Sequence, residues 1–235
     1  FLVLKESHRN HLLPHLVSFA TGALLGAALL GLLPHALDAQ QGGDIHAIPM
    51  TVLLGLLGFF LLEKLVLWRH CHHDHCEVHA PEISVRHRST GTMILVGDGL
   101  HNFLDGILIA GAFLTDIHLG VVTSLAVAAH EIPQEVGDFA VLLHSGFTRS
   151  RAFFYNVATS MTTVVGGVLA FYALQDMEAA LPYVLAVAAS SFIYIAVADL
   201  IPTLHERAEV AVTVQQLALI AAGVMVIHLA HSTLH

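Results

Sequence analysis

Basic side chains are scarce in this chain and missing where they would matter most. Lys and Arg together number 9 against 18 Asp and Glu, and none lies between residues 91 and 145. That gap excludes a Lys–carboxylate or Arg–carboxylate pair formed within the stretch. Cysteine is nearly absent as well: Cys71 and Cys76 share one polar loop and supply no disulfide framework. Charged residues make up only 11% of the chain, too few for a soluble domain of this size. The net charge of −9 is spread over connecting loops and apolar interiors, so no nucleic acid partner is assigned. No signal-peptide pattern, soluble domain, linker or clear internal repeat breaks the chain.

What is present is apolar length. Hydrophobic residues make up 56% of the sequence, and they fall into seven runs, each near the roughly 20 residues that span a bilayer. The runs are 11–37, 44–68, 91–115, 117–143, 151–173, 182–202 and 212–232, separated by turn signals at Gly42-Gly43, Pro81, Gly146 and 175–178. The chain therefore reads as an all-α polytopic membrane protein, one transmembrane domain over 1–235 with seven helices embedded in lipid, and a His-rich loop at 69–90. Taken along these runs, every Lys and Arg falls on one side: Lys5 and Arg9; Lys64, Arg69, Arg86 and Arg88; Arg149 and Arg151; Arg207. The opposite loops hold Asp38, Asp44, Asp116, Asp176 and Glu178. The positive-inside rule makes the basic side cytoplasmic, with the His-rich loop on it and the C-terminus, with His228, His231 and His235, outside.

Two adjacent runs break the apolar pattern from within. Asp98, His101 and Asp105 lie on one helical stripe with Asn102 beside it; His130, Gln134 and Asp138 form a second stripe, and Glu131 and Glu135 a third one residue round. A charge at the centre of a bilayer helix costs about 2.5–3.5 kcal/mol, and with no basic neighbour the compensation must come from another source. A metal cation fits these ligand types. Imidazole, carboxylate and amide oxygen without thiolate suit Zn²⁺, Fe²⁺, Mn²⁺ or similar ions. The plain alternative, interhelical hydrogen bonding, suits one such residue better than the whole set, and stays open for Glu135 and Asp138 taken singly. A tight turn near Thr115-Asp116 makes the two helices antiparallel, so their stripes can face each other. Gly97, Gly99, Gly106 and Gly111 allow close packing, and Pro133 frees the carbonyl of Ala129 beside the candidate ligands.

HNFLDG (101–106) followed by HEIPQEVGDFAVLL (130–143) resembles the fourth and fifth transmembrane helices of the ZIP (Zrt-, Irt-like) metal transporters, nearest the branch whose fifth helix reads HExPHExGD. LLPHA (32–36), FFLLEK (59–64) and FIYIAVADLIP (192–202) extend the likeness over most of the chain. The resemblance implies an eight-helix topology whose first helix precedes this chain, transport of zinc or another divalent transition metal (iron, manganese or cadmium) into the cytosol, a plasma-membrane (inner-membrane) location, a homodimer and no enzymatic activity. It further implies an elevator-like motion and two adjacent metal positions: one using His101, Asp105, His130 and position 134, the other Asn102, Asp105 and Glu131 with position 134 between them. This chain departs from the branch at Gln134, where the branch has His. A neutral amide is the weaker ligand, so the expectation is a weakened or reshaped site.

Other clusters are secondary candidates. His70, Cys71, His72, His73, His75, Cys76 and His79 crowd the 69–90 loop at a density that suits a metal acceptor or sensor. His35 and His46 are expected at the outer surface, and Asp199, His205 and Glu206 near an inner exit. Glu63-Lys64 reads as a local pair or a snorkelling lysine, and Asn156 with Ser160 as polar contacts. Two rival functions remain. His130-Glu131-Ile132-Pro133-Gln134 is one imidazole short of the HExxH of an intramembrane zinc metalloprotease, with Leu104-Asp105-Gly106 before rather than after it. The carboxylates alone would suit a proton or alkali-cation carrier, although the histidines favour softer ions.

Overall fold

The computed structural model describes residues 6–40, 44–71, 83–205 and 209–234, with side chains over 12–40, 44–65, 91–205 and 209–233. The described residues form no strands and fold into seven helical spans. The first, α1, runs through Glu6–Gly26, a π-helical stretch Ala27–Leu32 and Leu33–Ala39. Next come α2 (Ala47–Cys71), α3 (Ile83–Thr115), α4 (Ile117–His144) and α5 (Arg149–Leu174). Then α6 passes through Leu181–Tyr194, a π-helical stretch Ile195–Leu200 and Ile201–Leu204, and α7 is Val210–Leu234.

Six of the seven are long and apolar enough to cross a membrane, and the protein is an integral membrane protein. The other is α4, which has the length at 28 residues but carries His130, Glu131, Gln134, Glu135 and Asp138, which lower its hydropathy. The seven-helix expectation thus holds for helices, while the apolar criterion is met by six. Helices α2 and α3 also run past the apolar limits expected for them, α2 to Cys71 and α3 from Ile83, taking in both ends of the 69–90 stretch. The side chains of His70, Cys71, His72, His73, His75, Cys76, His79 and Glu206 lie outside the described residues.

Burial sorts the helices into inner and outer. About the core, 61% of the α1 span and 50% of the α6 span are buried, against 6% for α2 and 11% for α7. Lipid offers no hydrophobic drive between helices, so close packing of small residues must replace it. The core does this with Ala23, Ala27 and Ala28 of α1, Ala126 of α4, and Ala186, Ala188 and Ala189 of α6, closed by Leu24, Leu185 and Phe192. Pairing is systematic: α3 lies along α5, α1 along α7, and α2 along α6, while α4 sits between α3 and α1. The Tyr194 hydroxyl donates to Glu63, joining α6 to α2, and Lys64 stands 5.7 Å over the Phe60 ring.

Both π-helical stretches end two residues before a proline, Pro34 in α1 and Pro202 in α6. Proline has no N–H to return to the carbonyl four residues back, and the widened turn is a way to accommodate that loss.

The tightest crossing lies beside the polar stripe. A Cβ added to Gly106 of α3 would stand 2.0 Å from the Thr163 carbonyl oxygen of α5, and one on Gly166 would stand 2.1 Å from that of Phe103. Backbone meets backbone there. Gly106→Ala and Gly166→Ala should each destabilise the protein by about 1–3 kcal/mol through overpacking. Gly97→Ala, where a Cβ meets nothing within 4 Å, should leave it unchanged. Thermal unfolding in detergent checks the contrast; equal melting temperatures for all three would contradict this packing.

Candidate metal centre

Asp116 sets the register of the site. Its backbone is extended (φ −159°, ψ 137°) and its carboxylate accepts from the Leu119 N–H at 2.9 Å, so it ends α3 and caps α4 with no further linker. Antiparallel helices leaving one residue place positions equally far from it side by side. His101 and Glu131 are each fifteen residues from Asp116, about 22 Å along the helix, well inside the bilayer depth. Between the turn and the site, Leu108 and Ala112 of α3 and Leu119, Val122 and Ala126 of α4 pack in the apolar core.

Four side chains meet at that level. Ligand atoms of His101, Asp105, His130 and Glu131 lie within 4.8 Å of one another. Nε2 of His130 is 3.2 Å from Oδ2 of Asp105 and 3.3 Å from Oε1 of Glu131; Nε2 of His101 is 3.3 Å from the same Glu131 oxygen and 3.8 Å from Oδ2 of Asp105. The two Nε2 atoms are 3.4 Å apart. Zinc bonds to nitrogen and oxygen of about 2.0–2.2 Å give a tetrahedron whose edges are about 3.3 Å. The donor set already has that spacing.

The charges are not satisfied within the protein. Both carboxylate oxygens of Asp105 and both of Glu131 are buried without a hydrogen-bond donor, although imidazole nitrogens stand near them. Proximity here is not hydrogen bonding, because the groups point at a shared centre rather than along one another's N–H. Asp105 and His130 are both 1% exposed, so water cannot take the missing role. Nδ1 of His130 lies 3.2 Å from the Ala126 carbonyl, and since a carbonyl only accepts, Nδ1 carries the proton and Nε2 offers its lone pair to the centre. The Phe192 ring of α6 stands edge-on to His130 at 6.2 Å and closes that side. Unpaired buried carboxylates cost several kcal/mol each, and a divalent cation would relieve two of them together.

The remaining candidates are placed differently. Asn102, 1% exposed, spends its amide on Asp98 and Thr163: Nδ2 donates to the Asp98 carbonyl (3.2 Å) and Oδ1 (2.9 Å), and Oδ1 accepts from Thr163 at 2.9 Å. Glu135 joins Asp98 and Glu131 in a second group of carboxylates, also within 4.8 Å of one another. Asp98 was legible as part of the α3 stripe but not as a partner of Glu135, because that meeting depends on the angle between two helices. Gln134 is half-buried one turn beyond His130, and Asp138 is half-buried outside both groups. His35, Asp199 and His205 also lie outside both groups: His35 bonds the Gly31 carbonyl at 2.9 Å and meets the His231 ring edge-on at 5.3 Å, while Asp199 and His205 are exposed.

The sequence agrees with a known family over the same region. The family model for "ZIP Zinc transporter" matches residues 69–230. The chain is 34% identical over 230 residues to zinc transporter ZIP13 of Pongo abelii, covering 91% of this chain and 65% of that protein. It is 31% identical to zinc transporter zipt-7.2 of Caenorhabditis elegans (95% of this chain, 59% of that protein), and 30% identical to human zinc transporter ZIP4 (83% and 39%). The chain therefore spans less than two thirds of the length of each.

Zinc titrated into the purified chain should occupy a four-coordinate site with two imidazole nitrogens in its absorption-edge fine structure. His130→Ala or Asp105→Ala should weaken that binding by at least about tenfold. Zinc affinity indifferent to both changes would place the site elsewhere.

Proposed function

The chain belongs to the ZIP zinc transporter family, and on that premise we propose that it carries zinc, and divalent transition metals of similar size, across its membrane into the cytosol through the His101–Asp105–His130–Glu131 centre. The observation that supports this most is the combination of tetrahedral spacing with four donorless carboxylate oxygens at mid-depth. A permanently structural cluster would be expected to satisfy itself. A transported ion must find a site ready for it and leave it again, and a preformed, uncompensated donor set does the first.

The ends of the path follow from charge. Lys64 at the far end of α2 and Arg149 and Arg151 at the start of α5 lie on the side assigned to the cytosol by the positive-inside rule, with the start of α3 and the end of α4. In this reading α3, α4 and α5, which pack on one another and hold the donors, move as a unit against α1, α2, α6 and α7. A plasma-membrane location and a homodimer belong to the same reading.

An intramembrane protease is less well served by this geometry. A catalytic zinc keeps one position open for water, and its Glu acts as base rather than ligand. Here Glu131 Oε1 stands 3.3 Å from both imidazole nitrogens, in a ligand's position, and His101 from α3 takes the place of the second histidine of HExxH. A carrier of alkali ions or protons would have little use for two neutral imidazoles at the focus.

Proteoliposomes holding the chain should take up zinc without cleaving peptide, and Asp105→Ala combined with Glu131→Ala should reduce uptake to the protein-free background. Uptake that survives the double change would refute this path. Gln134→His should tighten zinc binding about tenfold, as imidazole replaces amide one turn from His130; a titration that finds both forms indistinguishable in affinity and metal preference would remove position 134 from the site.

A further inference from the structure

The mixed nitrogen–oxygen centre leaves a second set of carboxylates unexplained. Asp98, Glu131 and Glu135 each bring an oxygen within 4.8 Å of the other two. Asp98 lies two turns before Asp105 on α3 and Glu135 one turn after Glu131 on α4, so this group sits between the mixed centre and the start of α3. Three carboxylates so close repel one another, and no Lys or Arg lies between residues 91 and 145 to compensate them.

Asp98 itself points to a missing partner. It is 5% exposed; its Oδ1 accepts from Asn102 at 2.9 Å, while Oδ2 is buried with no donor. Glu131 brings two further donorless oxygens. On the opposite side the Ser160 hydroxyl donates to Oε1 of Glu135 at 2.6 Å, and the Asn156 amide donates to the Glu135 carbonyl at 2.8 Å. The outer oxygens are thus held by polar groups of α3 and α5, as ligand carboxylates usually are by their surroundings. Asn102 is a poor ligand for a second ion here, since its amide is already bonded on both sides.

The geometry points to a second cation position built from Asp98, Glu131 and Glu135, offering only oxygen, which takes a hard divalent ion such as Mn²⁺ and holds zinc more loosely than the mixed centre. Carboxylate-only coordination favours harder ions, whereas imidazole favours zinc. Because Glu131 belongs to both groups, an ion can pass from one to the other without losing every protein ligand. The role as a release stage rests on the transport reading; the binding itself does not.

The test uses the purified full chain with His101→Ala and His130→Ala, which removes both imidazoles. Mn²⁺ titrated into this background and followed by electron paramagnetic resonance should still bind one equivalent, with no nitrogen coupling. Adding Asp98→Asn, or separately Glu135→Gln, should weaken it at least about tenfold. Each variant is checked by its melting temperature, and if one fails to fold the other carries the same expectation. Absence of Mn²⁺ binding, nitrogen coupling in the spectrum, or affinity unmoved by the folded variant overturns the second position. Zinc uptake by the unaltered chain is scored separately: its loss would overturn the transport reading and leave the Mn²⁺ result to stand.

Discussion

Negative charge buried in a low-dielectric interior without a fixed positive partner is the constraint that the rest of this molecule accommodates. Asp98, Asp105 and Glu131 sit between helices that have no lysine or arginine along their facing stretches, and most of their oxygens find no donor. Each feature nearby helps to make that tolerable. Asp116 fixes the register so that the charged levels of α3 and α4 coincide, the Ala126 carbonyl sets the tautomer of His130, and α5 supplies hydroxyls and an amide to hold the outer carboxylates. The scaffold does not neutralise the charges. It arranges them around a point.

Much of this could be read from the residues alone. The helical class, the hairpin of α3 and α4, and the meeting of His101, Asp105, His130 and Glu131 follow from hydropathy, a one-residue turn and spacing of three, four and seven. The spans agree to within a few residues because lipid allows few alternatives to apolar helices of bilayer length. What stayed hidden depends on tertiary geometry. Asn102 looks like a ligand in a stripe, yet Thr163, sixty-one positions later, takes its oxygen. Glu135 could have turned to lipid, backbone or metal; the helix crossing decided that it faces Asp98. The π-helical stretches were not legible either, since Pro34 and Pro202 signal a lost hydrogen bond without saying how the helix absorbs it.

The sharing of Glu131 also bears on how affinity and turnover can coexist. A single deep site that binds zinc tightly would release it slowly. Two overlapping sites of unequal softness divide the dissociation into smaller steps, with imidazoles exchanged for carboxylates along α4. Selectivity then resides at the histidine level and release at the carboxylate level, which separates two demands that one ligand set could not meet together.

The Thr163–Asn102–Asp98 hydrogen-bond chain has a mechanical consequence for α3 and α5. Beyond Thr163, the next positions on that face of α5 are Gly166 and Gly167, which carry no hydroxyl. If α5 slipped by one turn, Asn102 would lose its donor and Asp98 would lose the orientation that Asn102 imposes, while the glycine-lined backbone contacts would fall out of step. The two helices are therefore latched lengthwise, and any large displacement of the donor groups must carry both of them along as one rigid slab.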